Sequence, residues 1–215
     1  MDMDIDKVFI INLKHRTDRK QHMLNQLKEQ NITNFEFFDA IMPTLSEVNE
    51  WNPQFCLNIN TVKPNTYKIG ALGCLKSHLE IMKLALSRNY KRILILEDDT
   101  IFKQSFETIF TYSNQIHNKF DMLYLAGSHL GQKIKQTTNI TKVIGTLTTG
   151  SYLITTNAMK YIVENIKSYP KEVDTFYGKY VQNIYNCYCV VPHITTQMEG
   201  YSDIQSSYVK YRLLE

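Results

Sequence analysis

Arg92-Ile93-Leu94-Ile95-Leu96-Glu97-Asp98-Asp99-Thr100 decides how this chain is read. Four consecutive aliphatic residues, two of them β-branched, form the pattern of a strand buried on both faces. The strand runs directly into three carboxylates. Burying them unpaired would cost several kcal/mol, which places them just beyond the strand's carboxyl end. Open α/β sheets form their ligand crevice at that edge. Side chains alternate along an extended chain, so Glu97 and Asp99 share one side and Asp98 points away, with the Cα atoms of the outer pair about 6.6 Å apart. Two carboxylates so placed can close on one hard divalent cation. A solvated acidic turn is the other reading of the same nine residues.

The flanking segments repeat the strand-then-helix pattern. Val8-Phe9-Ile10-Ile11-Asn12-Leu13 is a second buried strand, followed by Lys14-His15-Arg16-Thr17-Asp18-Arg19. Thr17 or Asp18 can cap a helix carrying Met23, Leu24 and Leu27 and ending near Asn31. A helix N-terminus beside two arginines suits a phosphate, and equally suits arginines paired with nearby acids. Phe35–Phe38 is a short strand. Asp39 to Lys68, with Pro43, Pro53, Pro64 and the sole Trp, is irregular, with a helical turn or two over Glu47–Trp51, and reads as a flap or surface loop. Ile69 to Arg88 is a helix with an apolar ridge of Leu75, Leu79, Met82 and Leu86, and His78 lies on the neighbouring apolar ridge. A histidine there serves structure or function. Gly70 and Gly73 allow close backbone approach.

Beyond the carboxylates, Phe102 to His117 reads as an amphipathic helix and Asp121–Leu125 as a strand. A polar, β-leaning stretch to Thr149 precedes a strand over Gly150–Ile154. Thr156 or Asn157 caps a helix to about Lys167, Asp174 opens another to about Tyr185, and Cys187–Val191 is a last strand before a polar tail. The alternation argues for a mostly parallel α/β sheet in one domain.

The 215 residues can bury a core without staples. A net charge of +3 with interspersed signs gives no nucleic-acid footprint. The four cysteines, Cys56, Cys74, Cys187 and Cys189, lack metal-finger spacing and read as reduced intracellular thiols. The acidic start and the lack of any ~20-residue apolar run point to a soluble, cytoplasmic protein, or one of host cytoplasm or virion if viral.

Several blocks together resemble glycosyltransferase family 25. Asn12-Leu13 with Arg16, Asp18 and Arg19 is similar to its "INLxxRxDR" signature. Gly70 through His78 resembles "GxxGCxxSH", and Leu96-Glu97-Asp98-Asp99 matches "LEDD". Gly150-Ser151-Tyr152 resembles its "TxxY" strand, and Glu172-Val173-Asp174 its "PVD", with Glu172 replacing the proline. Pro192 to Ile204, with Gln197, Ser202 and Asp203, resembles "PxxxQ…SDI". The resemblance implies a single GT-A-like domain over residues 1–215. It also implies inverting transfer of galactose or glucose from a nucleotide sugar, typically a UDP-hexose, to a glycan, lipooligosaccharide or hydroxylysine-type acceptor, with Mn2+ or Mg2+.

On that reading Glu97 and Asp99 seat the metal. Asn12, Leu13, Arg16, Arg19, Gly73, Ser77, His78, Asp98, Gly150 and Gln197 serve the donor, with Ser77 and His78 acting from behind the pocket wall. Inversion needs a base opposite the leaving group, and Asp174 is the candidate. A further metal ligand is expected from the tail, where His193 is the nitrogen donor and Gln197 the residue the family pattern keeps. Peripheral membrane contact stays open; no nucleic-acid partner is expected. A non-catalytic nucleotide-sugar-binding domain and a metal-dependent nucleotidyltransferase or phosphohydrolase are the competing classes. The last should show a second ligand set, and the sequence offers none.

Overall fold

The computed structural model describes residues 4–51, 64–168, 172–204 and 207–209. Pro53 and Cys56, both named above, lie outside the described residues. Eight strands form the main sheet in the order β2-β1-β3-β8-β5-β9-β7-β6. They are β1 (Lys7–Asn12), β2 (Phe35–Asp39), β3 (Arg92–Glu97), β5 (Met122–Tyr124), β6 (Ser128–Lys135), β7 (Ile140–Leu147), β8 (Ser151–Thr155) and β9 (Cys187–Val190). Two short strands, β4 (Thr100–Phe102) and β10 (Thr195–Gln197), pair separately, as do β11 (Gly200–Ser202) and β12 (Ser207–Val209).

The two aliphatic runs sit side by side in the sheet interior, behind the β2 edge, because both faces of each must be covered. On β1 and β3, Phe9, Ile11, Ile93 and Ile95 face one apolar cluster. Val8, Ile10, Leu94 and Leu96 face the other. The first cluster is closed by α3 (Asn65–Ser87), α5 (Thr156–Asn165) and a helical stretch made of α6 (Val173–Phe176), a π turn over Tyr177–Val181 and α7 (Gln182–Ile184). The second is closed by α1 (Thr17–Glu29) and α4 (Thr108–Asn114), through Met23, Leu27 and Ile109. Ile93 to Leu96 are fully buried, and each such side chain contributes roughly 1.5–3 kcal/mol. Leu94→Ala should therefore cost about 3 kcal/mol of stability, read as a lowered urea midpoint.

The α/β alternation is as expected, but the sheet is mixed. Three strand contacts are parallel and four antiparallel. The antiparallel β8 is inserted between β3 and β5. A strand buried on both faces shows the same apolar run whichever way it points, so its direction is not written locally. Phe102 is not helical: Thr100–Phe102 pairs with Thr195–Gln197, leaving only Thr108–Asn114 in α4. The helix of Gly70 and Gly73 begins earlier, at Asn65, and α2 (Leu45–Trp51) occupies part of the irregular segment. Neither Thr17 nor Asp18 caps α1: Arg16 stands at the N-cap, and Asp18 lies in the first turn. Likewise α5 starts at Thr156 after Thr155, without a side-chain cap. Among the described residues no helix is long and apolar enough to cross a membrane.

Candidate active site

The carboxyl ends of β1 and β3 open onto a cavity of about 380 Å³. Its walls include Leu13, Arg19, Gly73, Ser77, His78, Glu97, Asp98, Asp99 and Asp203. A second cavity of about 150 Å³ is lined by Tyr67, Thr149, Glu172, Asp174 and Gln197. Cys74, Glu97, Ser202 and Ile204 belong to both walls.

The carboxylates leave the strand in a turn at Asp98-Asp99 rather than in extended chain, yet they sort as alternation suggests. Gln197 Nε2 donates to Glu97 Oε2 at 3.3 Å and to Asp99 Oδ1 at 3.2 Å, so the outer pair converges. Asp98 turns away, accepting from Asn12 Nδ2 and Arg19 Nη1, both at 2.8 Å. Gln197 arrives because it faces Thr100 in the β10–β4 pairing, and Met198 N–H donates to Asp99 O. Gly150 lies beneath it: a Cβ there would meet the Gln197 side chain at 3.0 Å. The Gly150 carbonyl accepts from Glu97 N–H and Thr100 Oγ1. Gly150 therefore supports the carboxylate turn and lines neither cavity.

Asp99 is 6% exposed and Asp98 7%. Burial, reinforced by the charge of Glu97 and opposed by Arg19, pushes the Asp99 carboxyl up to about 7. Burial also works upward on Glu97, but facing His78 and accepting from Thr149 Oγ1 at 2.8 Å outweigh it and leave the carboxyl below its ordinary value. Three clustered carboxylates thus face one ion-paired guanidinium, Arg19. Hard oxygen donors with surplus negative charge fit a divalent cation between Glu97 and Asp99.

His78 is fully buried, hydrogen-bonded through Nδ1 to Tyr152 Oη at 2.8 Å, and Tyr152 Oη meets Tyr177 Oη at 3.2 Å. His78 Nε2 makes no hydrogen bond and stands 3.5 Å from Glu97 Oε1. It is placed to orient that carboxylate. Ser77 Oγ donates to Gly73 O and accepts from Ile41 N–H. A Cβ on Gly73 would lie 2.5 Å from Ile41 O, so this glycine and serine fasten the Ile41 loop to α3 and shape the cavity wall. Gly70 does the same for the tail, where its added Cβ would meet Ile204 Cα at 2.7 Å.

The two arginines of the β1–α1 turn diverge. Arg19 lines the larger cavity, pairs with Asp98 and donates to Tyr201 O. Arg16 is absent from the cavity wall: it is held by Asp18 at 2.8 Å and Asp203 at 2.5 Å. These pairs tie the tail across the β1–α1 turn. Because the Arg19–Asp98 pair is largely shielded, with side chains 13% and 10% exposed, Arg19→Ala should cost about 2–3 kcal/mol in a urea melt. Arg16→Ala, at a partly exposed pair, should cost no more than about 1 kcal/mol in the same urea melt.

Asp174 lines the smaller cavity and accepts from Thr175 N–H at 2.7 Å and Thr148 N–H at 3.3 Å. Burial raises its carboxyl, Glu97 adds to the rise, and the two N–H groups hold it back. His193 is the clear departure. It does not join Glu97 and Asp99 and lines neither cavity; its ring packs on His129, with centroids 5.8 Å apart. His193 precedes β10, whose pairing with β4 sends Gln197 to the carboxylates.

Thr149, Cys74 and Tyr67 were not singled out as site residues from the sequence. Cys74 lies inside the Gly70–His78 block and Thr149 immediately precedes Gly150–Tyr152, so their place in or beside those blocks is the available signal. Tyr67 donates to Glu172 across 105 residues, and no local pattern foretells that bond.

A mixed α/β sheet with clustered carboxylates at a central strand's carboxyl end, beside two confluent cavities, is the arrangement expected of GT-A-like proteins. The family model described as glycosyltransferase family 25 (LPS biosynthesis protein) matches residues 5–148, and the chain belongs to that family. It is 33% identical over 110 residues to procollagen galactosyltransferase 2 of Mus musculus, covering 49% of this chain and 17% of that protein. It is 32% identical over 174 residues to the procollagen lysyl hydroxylase and glycosyltransferase of Acanthamoeba polyphaga mimivirus, covering 73% of this chain and 19% of that protein. The chain thus spans under a fifth of the length of either relative. Among solved structures, a glycosyltransferase involved in glycosylating the major capsid of PBCV-1 aligns with a TM-score of 0.46 at 13% identity, over 83% of this chain and 76% of that one.

Proposed function

We propose that this chain transfers a hexose, galactose or glucose, from a nucleoside diphosphate sugar, typically a UDP-hexose, to a hydroxyl of a glycan, lipooligosaccharide or hydroxylysine-type acceptor, with inversion. The observation that carries this reading is the confluence of the two cavities at Glu97. One holds Arg19 and the carboxylate cluster; the other holds a buried carboxylate, Asp174. A single displacement needs donor and acceptor to approach one carbon from opposite sides, and two cavities sharing a wall supply that geometry.

The donor occupies the larger cavity, with its diphosphate at Arg19 and at Glu97 and Asp99. Glu97 and Asp99 would hold manganese or magnesium, which would supply the charge neutralisation that a departing diphosphate requires. Arg19, locked by Asp98, adds fixed positive charge without reorganisation. Asn12 and Asp98 hold Arg19 in place and leave the donor contacts to it. Gln197 spans both carboxylates and sets their separation. The acceptor hydroxyl enters the smaller cavity and gives its proton to Asp174 as it attacks the anomeric carbon.

The test is release of nucleoside diphosphate from a panel of nucleotide sugars, with and without manganese, in the presence of simple glycoside and hydroxylysine-peptide acceptors. Manganese-dependent release with a β-linked product from an α-linked donor supports the proposal. Binding without turnover across the panel, or turnover only of nucleoside triphosphates, overturns it.

A further inference from the structure

A cluster of soft and borderline donors lies apart from both cavities. His129 starts β6, Cys189 lies in β9, and His193 follows the cis Val191–Pro192 bond. One ligand atom from each lies within 4.8 Å of the other two. We propose that His129, Cys189 and His193 form a second metal site, selective for a zinc-class divalent ion. Two imidazoles and a thiolate favour zinc over the hard ions suited to Glu97 and Asp99.

The supporting shell is already built. His129 Nδ1 is hydrogen-bonded to Thr146 Oγ1 at 2.7 Å, which leaves Nε2 as its ligand atom. Thr146 is 1% exposed and clamped by Gln182 through its own N–H and C=O. A ligating imidazole whose other nitrogen is fixed in this way is the usual arrangement at zinc. Binding would expel one proton, from Cys189 Sγ–H to solvent, while both imidazoles donate lone pairs and a water completes four-coordination. Closing on one ion requires donor atoms roughly 3.5 Å apart, as tetrahedral bonds of about 2.0–2.3 Å dictate. The ion would fasten the start of β6 to the turn that leads into β10, and hence to Gln197.

Cobalt(II) titration of the full chain tests this. One equivalent should develop tetrahedral d–d bands and a thiolate-to-cobalt charge-transfer band, and zinc should abolish both. The charge-transfer band should vanish in Cys189→Ser and persist in Cys56→Ser, Cys74→Ser and Asp99→Asn. Thr146→Val should weaken cobalt binding about tenfold, and His193→Ala at least as much. Absence of a thiolate band in the folded wild type, its survival in Cys189→Ser, or its loss in Cys74→Ser would overturn the site. If Cys189→Ser does not fold by near-ultraviolet circular dichroism, half-buried His193 decides: wild-type cobalt affinity in His193→Ala overturns it equally.

Discussion

Asp99→Asn should lower kcat/KM about 10³-fold at saturating manganese while leaving the fold intact, a loss near 4 kcal/mol of transition-state stabilisation. The amide keeps the shape of the carboxyl, and its Oδ1 can still accept from Gln197 Nε2, as Asp99 Oδ1 does at 3.2 Å. What is lost is one of two negative oxygen sets proposed to seat the cation. Steady-state kinetics with the preferred nucleotide sugar, paired with circular dichroism, checks both halves; wild-type turnover in manganese would remove Asp99 from the metal seat. A pH signature follows. The folded Asp99 carboxyl titrates near 7, against an ordinary value of 3.8. Between about 4 and about 7 the folded chain therefore binds a proton that the unfolded chain has released, and stability falls as pH rises through that window. Manganese displaces this proton, so the melting-temperature gain from manganese should grow across the same window and level off above it. In Asp99→Asn both slopes should be absent.

The core of the fold was legible because it rests on apolar runs. Ile93–Leu96 and Val8–Ile11 need cover on both faces, and that need fixes them as central strands wherever the helices fall. The carboxylate cluster was legible for a related reason: three acids after such a run have nowhere to go but the sheet's edge. Sheet direction was not, because β8 serves antiparallel neighbours on both sides with an ordinary buried-strand sequence. Nor was the partition of the tail. His193 and Gln197 stand four residues apart in one polar stretch, and only the pairing of Thr195–Gln197 with Thr100–Phe102 tells which reaches the carboxylates. Three-residue strands carry no readable period, so that pairing is decided by tertiary contact. The same limit hid the division of labour between Arg16 and Arg19, since the carboxylates that claim them, Asp203 and Asp98, lie 187 and 79 residues away.

Asp174→Asn should reduce kcat by 10² to 10⁴-fold, the usual contribution of a positioned general base, with the donor KM changed less than threefold. Asp174 lines the smaller cavity and is absent from the wall of the larger one, so donor binding should survive its neutralisation. The substitution keeps an acceptor for Thr175 N–H but can set an amide N–H against Thr148 N–H, at the cost of one long hydrogen bond of 3.3 Å. A modest loss of stability is therefore expected, and it must be measured apart from the loss of rate. The pH profile separates the two effects. Burial and Glu97 raise this carboxyl above its ordinary value of 3.8, so the wild-type rate should climb with pH through the raised value as the base ionises. Asp174→Asn should abolish that limb, whereas a purely structural residue would leave its shape in place. Glu172 is the control: it lines the same cavity and accepts from Tyr67 Oη at 3.1 Å, but from a neighbouring part of the wall. If Glu172→Gln erased the acidic limb and Asp174→Asn preserved it, the proton would pass to Glu172, and Asp174 would be left holding the Thr148 loop against α6.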